Sequence, residues 1–227
     1  MIDGMFLNRI LRAPADVADQ CRSDRGVASI ARTALVTLAV AATAFGAAVG
    51  SWRGGWQIAF AAIKMPIAIL GTLAIAAPAF YVLAAIFGRP WALRPVLALV
   101  LSAGARFALV LLALTPPLWL TIDFGAPYAL VKVAATVGYG LAGLAGLEVL
   151  IRGLGHGPGR GLTIGLFVTV FLLIGGQNAW VLRPYLGTPG EAEVTLFTRK
   201  REGGLVVQLL KAMAGEKPPP PPPVEGP

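Results

Sequence analysis

Cysteine occurs once in this 227-residue chain, at Cys21, and histidine once, at His156. A single thiol excludes an intrachain disulfide. One histidine and one cysteine far apart do not make a metal site, which needs several ligands within reach. A serine–histidine–acid system would have to use His156. That residue sits in "GLGHGPGRG" with no acid close in sequence, so the stretch reads as a flexible connector. It also lacks the "GK[ST]" ending of a phosphate-binding loop. Charge is scarce as well. Only 13% of residues are charged, about half the share of a soluble globular domain. The apolar runs are nearly bare of the polar clusters that membrane proteases, acyltransferases and oxidoreductases carry. No catalytic residue, metal or cofactor is therefore expected, and the chain is not expected to be an enzyme.

Hydrophobic residues make up 56% of the chain, and the mean hydropathy is +0.74. Such a chain cannot cover its surface with polar groups in water, and a lipid bilayer is its natural solvent. The formal net charge is +8. In a soluble protein that excess would suggest nucleic acid. Here the basic residues stand at the ends of apolar runs, so anionic headgroups are the expected counter-charge and no nucleic acid is expected. The first 30 residues hold no long apolar core, and Asp3, Asp16, Asp19 and Asp24 mix with arginines there. That is unlike a signal peptide, and no lipidation signal is expected at either end.

A spanning helix needs about 20 apolar residues to cross about 30 Å. Five runs qualify, at about 33–50, 65–87, 96–121, 128–151 and 162–182. The expected fold is all-α, a polytopic transmembrane helical bundle of about five spans, with short amphipathic helices at both ends. Residues 1–32 form a cytoplasmic or interfacial segment, and 33–182 the bundle. Residues 183–214 form an interfacial segment with an amphipathic helix, and 215–227 a proline-rich tail. At the N-terminal end, Phe6, Leu7, Ile10 and Leu11 are at helical spacing, and Pro14 ends that helix. Near the other end, Val206, Leu209, Leu210 and Met213 recur at i, i+3, i+4, i+7. The six prolines 218–223 favour polyproline II, as a spacer or a docking ligand. "SWRGGWQIAFAAIK", between the first two runs, reads as a short interfacial segment that mingles Trp52 and Trp56 with Gln57 and Lys64.

Lysine and arginine bias sets orientation. Arg22, Arg25, Arg32, Arg89, Arg94, Arg152 and Arg160 lie on the N-terminal side; Arg53, Lys64, Lys132 and Arg183 lie on the other. The N-terminus is thus expected in the cytoplasm. Five spans would put the tail outside, yet Arg199, Lys200, Arg201, Lys211 and Lys217 argue for the cytoplasm. An even span count reconciles the two.

Ionisable residues inside spans are costly and open a functional reading. Arg106 is ten residues into the third run, about 15 Å deep. Glu148 is its only acidic candidate partner, expected about 10 Å shallower on an antiparallel neighbour. The pair reads either as part of an ion or solute path or as a structural tie. Lys132, Gln177 and Asn178 complete the intramembrane polar candidates. Trp52, Trp56, Trp91, Arg94, Trp180 and Arg183 are candidate interface anchors, aromatic at the headgroup level with arginine reaching outward. Ala134, Gly138, Ala142 and Gly146 make a stripe of small residues, as do Ala42, Gly46 and Gly50. Such stripes let helices approach in lipid, within one chain or between two copies.

"GSWRGGWQIAFAAIKMP", "GYGLAGLAGLEVLIRGL" and "GGQNAWVLRPYLGTPG" resemble a group of uncharacterised bacterial polytopic inner-membrane proteins. The shared pattern is a "GSxRGGxQ" turn, a lysine–proline entry to the second span and a late "QxAWxLRPxxG". The resemblance covers about residues 33–190. In layout the chain is also loosely similar to the five-span Yip family, without a diagnostic motif. The resemblance implies a multi-pass protein of the bacterial inner membrane and transfers no activity. Arg106 and the proline tail depart from the group's pattern. The expected role is a non-enzymatic scaffold, anchor or subunit of a membrane complex, with a membrane-protein partner or self-association. The alternative is a small transporter or channel-like protein using Arg106 and Glu148.

Overall fold

The computed structural model describes residues 4–86, 91–155 and 159–181. These form seven helices: α1 (Gly4–Arg12), α2 (Pro14–Arg22), α3 (Val27–Ser51), α4 (Trp56–Ile86), α5 (Leu93–Asp123), α6 (Tyr128–Leu154) and α7 (Arg160–Val181). No strand occurs among the described residues. The fold is the expected all-α bundle. Four helices, α3 to α6, are long and apolar enough to cross a membrane, and the protein is a multi-pass membrane protein. The fifth expected span falls on α7. Its described apolar part, Arg160–Ile174, is shorter than the other four, because the rest of that run reaches side chains outside the described residues. Gln177, Asn178 and Trp180 belong to that part of α7. Arg183, the second amphipathic helix and the proline tail also lie outside the described residues.

The helices pack in a sequence that follows from their small residues. α3 lies between α4 and α5, α6 packs on the far side of α5, and α7 packs on α4. At the α3–α4 contact a Cβ on Gly46 would collide with the carbonyl oxygen of Ala61 and stand 2.9 Å from Met65 Cβ. One on Gly50 would stand 2.6 Å from the Gln57 carbonyl oxygen. At the α5–α6 contact a Cβ on Gly146 would stand 2.9 Å from the Ala103 carbonyl oxygen, and one on Gly138 3.3 Å from Leu114. Both stripes therefore serve contacts within the chain. Lipid gives no hydrophobic drive between helices, so such close backbone approach supplies the dispersion contacts instead. Leu38, Phe45, Leu99 and Leu111 are fully buried at the centre. Ile63, Ile67, Ile75 and Val82 on α4, and Val133, Val137, Leu141 and Leu144 on α6, stay exposed. These are the faces that lipid covers.

Two expectations change. Residues 56–64 are not a separate interfacial segment. α4 starts at Trp56 and continues through Pro66 and Pro78 to Ile86. Gln57 and Lys64 are buried, at 1% and 2% exposure. The face that carries them, with Ala61, Met65 and Ala68, is the buried face of α4, and the approach of Gly46 and Gly50 draws that stretch into the bundle. The N-terminal segment, in turn, is more than a surface element. Phe6 and Ile10 of α1 and Val17, Ala18 and Cys21 of α2 join the main core. α2 packs on α5 and α6, with Pro14 in its first turn, where a missing N–H costs nothing.

Candidate functional site

The two ionisable candidates with opposite charge meet. Arg106 Nη2 lies 2.7 Å from Glu148 Oε2. The other carboxylate oxygen, Oε1, accepts from Arg152 Nη2 at 2.5 Å, one turn further along α6. The sequence estimate put Glu148 about 10 Å shallower than Arg106, and the structure removes most of that difference. Gly153 lies against Leu99, Gly146 against Ala103 and Phe107, and Gly138 against Leu114. This register sets Glu148 opposite about Gly104, so the vertical gap to Arg106 is about 3 Å. Counting from run ends failed because the helices are staggered: in this register the first turn of α5 projects beyond the end of α6.

The Arg106 side chain is 13% exposed, that of Glu148 37% and that of Arg152 46%. The trio thus runs from the bundle interior to its surface. Arg106 Nη1 is buried with no hydrogen-bond partner among the described residues. Phe107, next to Arg106 in sequence, meets Tyr139 of α6 edge-to-face, 4.9 Å between centroids. Arg22 reaches from α2 to Gly155, just beyond the end of α6, and is itself paired with Asp19. Arg160 Nη2 donates to the Ile151 carbonyl oxygen at 3.4 Å. Cationic groups near the last carbonyls of α6 suit the negative end of its dipole. Cys21 is buried in α2, and burial pushes its thiol up to about 11, against a smaller downward pull from its hydrogen bond with Ser102.

Other candidates stand apart. Lys132 lies on the exposed face of α6, 16 residues from Glu148 and about 24 Å along the helix. Trp56 is exposed. Trp52 is half-buried; its Nε1–H donates to the Ala126 carbonyl oxygen at 3.3 Å, and its ring meets Tyr128 edge-on. It clamps the end of α3 to the α5–α6 turn. Trp91 packs on Phe80, and Arg94 is exposed. No group of three or more histidine, cysteine or carboxylate side chains among the described residues could hold a metal. The deep burial of Gln57 and Lys64 was missed by sequence reasoning. The proline after Met65 and the following apolar run were the available signal, since they mark α4 as already inside the bundle there.

No family model, no curated protein and no solved structure matches the chain.

Proposed function

We propose that this chain is a non-enzymatic scaffold, anchor or complex subunit of the bacterial inner membrane. The observation that carries the reading is the state of Glu148. Both of its oxygens are engaged by arginines of the same chain, so the one acid paired with Arg106 acts as a tie between α5 and α6. The glycine contacts of α3 with α4 and of α5 with α6 support the same reading, because backbones in van der Waals contact suit a fixed body. The inner-membrane setting rests on the arginine bias and on the resemblance of residues 33–190. Crosslinking and affinity purification from native membranes test the role, with residues 203–227 present in one version and deleted in the other. A reproducible protein partner that depends on the tail is the expected result. Recovery of the same partners without the tail would remove the tail from the reading.

A second reading, a small transporter, is favoured by one observation: Arg106 Nη1 is buried and finds no acceptor among the described residues. An anionic solute would provide one. In reconstituted vesicles Arg106→Leu would then abolish anion uptake while the bundle stays folded. A scaffold predicts no uptake from either form.

A further inference from the structure

α1, α2 and the start of α3 enclose a half-open cavity of about 180 Å³. Its polar wall is Arg9, Gln20, Arg25, Ser29 and Thr33, and its apolar wall includes Phe6 and Ile30. Among the described residues no acidic one lines it. Two arginines thus face one small volume, and neither forms an ion pair among the described residues. Arg9 Nε is buried and has no hydrogen-bond partner among the described residues. Amide, hydroxyl and guanidinium groups at one wall form a donor set for a phosphate, and arginine matches phosphate oxygens with paired N–H groups.

A second, independent feature has the same sign. Gly26 and Ser29, in the first turn of α3, also line the cavity. α3 begins at Gly26 with no side-chain cap; the Ser29 N–H turns back to the Gly26 carbonyl oxygen at 3.0 Å, and no serine or aspartate side chain serves the N–H groups ahead of it. The positive end of the helix dipole favours an anion there. α3 is a membrane-spanning helix, so its start lies where headgroups are. The apolar wall beside the donors suits a molecule that carries a phosphate on a greasy body.

We propose that this cavity binds a phosphate ester, with Arg9 and Arg25 as its principal ligands and Ser29, Thr33 and Gln20 as hydrogen-bonding partners. Two sources share that chemistry: the headgroup of an anionic phospholipid and a soluble phosphate ester. The site is separate from the Arg106–Glu148 tie and does not depend on the scaffold reading.

The test uses the full chain in nanodiscs, with arginine modification by phenylglyoxal read by mass spectrometry. In phosphatidylglycerol discs Arg9 and Arg25 should be modified at least fivefold more slowly than in phosphatidylcholine discs, while Arg12 and Arg32 change less than twofold. Protection in phosphatidylglycerol alone assigns the lipid source. Protection in phosphatidylcholine discs on adding glycerol 3-phosphate assigns the soluble source. Equal modification in every condition overturns the proposal, as does protection of Arg12 and Arg32 to the same degree, which marks diffuse surface attraction. As a second measurement, the double variant Arg9→Gln/Arg25→Gln should bind phosphatidylglycerol about tenfold more weakly by native mass spectrometry, and Arg12→Gln should not. Undiminished binding by a folded double variant likewise overturns it.

Discussion

Removing Glu148 should cost more than removing either arginine that it binds. With charge centres about 4 Å apart, the attraction between Arg106 and Glu148 is about 4 kcal/mol at an effective dielectric near 20. Part of that is lost to the desolvation of Arg106, which is only 13% exposed. Part is lost to screening, because Glu148 is 37% exposed. A net coupling of about 1–2 kcal/mol remains. Glu148→Gln leaves a guanidinium inside the bundle with no acid, so its cost should be about 2 kcal/mol, below the range for fully buried pairs. Arg106→Leu removes the costly charge itself and leaves Glu148 to Arg152, so its cost should be about 1 kcal/mol or less. Arg152→Gln breaks a pair open to solvent and should cost about 0–0.5 kcal/mol.

Reversible unfolding in mixed micelles measures the three variants and the Arg106→Leu/Glu148→Leu double variant. The expected order of destabilisation is Glu148→Gln, then Arg106→Leu, then Arg152→Gln. The double variant should lie close to wild type, since replacing a buried pair by apolar groups is often neutral or stabilising. The reasoning fails if Arg106→Leu is the most damaging of the set. It also fails if the double variant is as unstable as the two single variants added together.

Two further perturbations test the packing. Gly46→Ala should destabilise by about 1–3 kcal/mol, because the new methyl meets the Ala61 carbonyl; Gly143→Ala on α6 meets nothing within 4 Å and should stabilise by up to about 1 kcal/mol, both read by the same unfolding assay. Cys21 should react with maleimide at pH 8 at least 100-fold more slowly in the folded protein than in the unfolded one, since its thiol is both buried and held at about 11. The same shift makes stability depend on pH. The unfolded thiol loses its proton near 9.0 and the folded one near 11, so the thiol's contribution is whole below pH 9 and falls as pH rises through that window. Cys21→Ala should flatten the fall; an unchanged slope would remove Cys21 as its cause.

The runs of apolar residues were legible because a spanning helix must satisfy its own backbone in lipid, and only length and apolarity are needed for that. They located four of the long helices, though each proved longer than its apolar run. α3 starts at Val27 rather than near 33, where Val27 and Ile30 gain buried contacts at the α1–α2 end. The stripes of small residues were legible as contact faces, and the partner of each was not, since an identical stripe serves a neighbour in the chain or in a second copy. Lys64 was misread for a related reason. Hydropathy counts a lysine against burial, whereas the structure buries it because Gly46 and Gly50 pull that turn of α4 against α3. The Arg106–Glu148 pairing was legible as charge complementarity. Its geometry was not, because the stagger of α5 against α6 is set by which glycine meets which side chain.

One short helix links the two polar regions of the molecule. α2 packs on both α5 and α6, with Cys21 reaching Ser102 and Arg22 reaching Gly155. The same helix also supplies Gln20 to the arginine-lined cavity. One nine-residue helix therefore touches α5 and the end of α6 on one side and the start of α3 on the other. A ligand that orders the cavity wall would also hold α2 against α5 and α6. In that arrangement the phosphate site acts on bundle stability through α2, and the ion pair does not require it. The two are separable by experiment. Anionic lipid should slow the opening that exposes Cys21, and it should do so equally in wild type and in Arg106→Leu. If the lipid effect disappears with Arg106, the anion is held by the α5–α6 arginines, and the cavity at α3 is not where it binds.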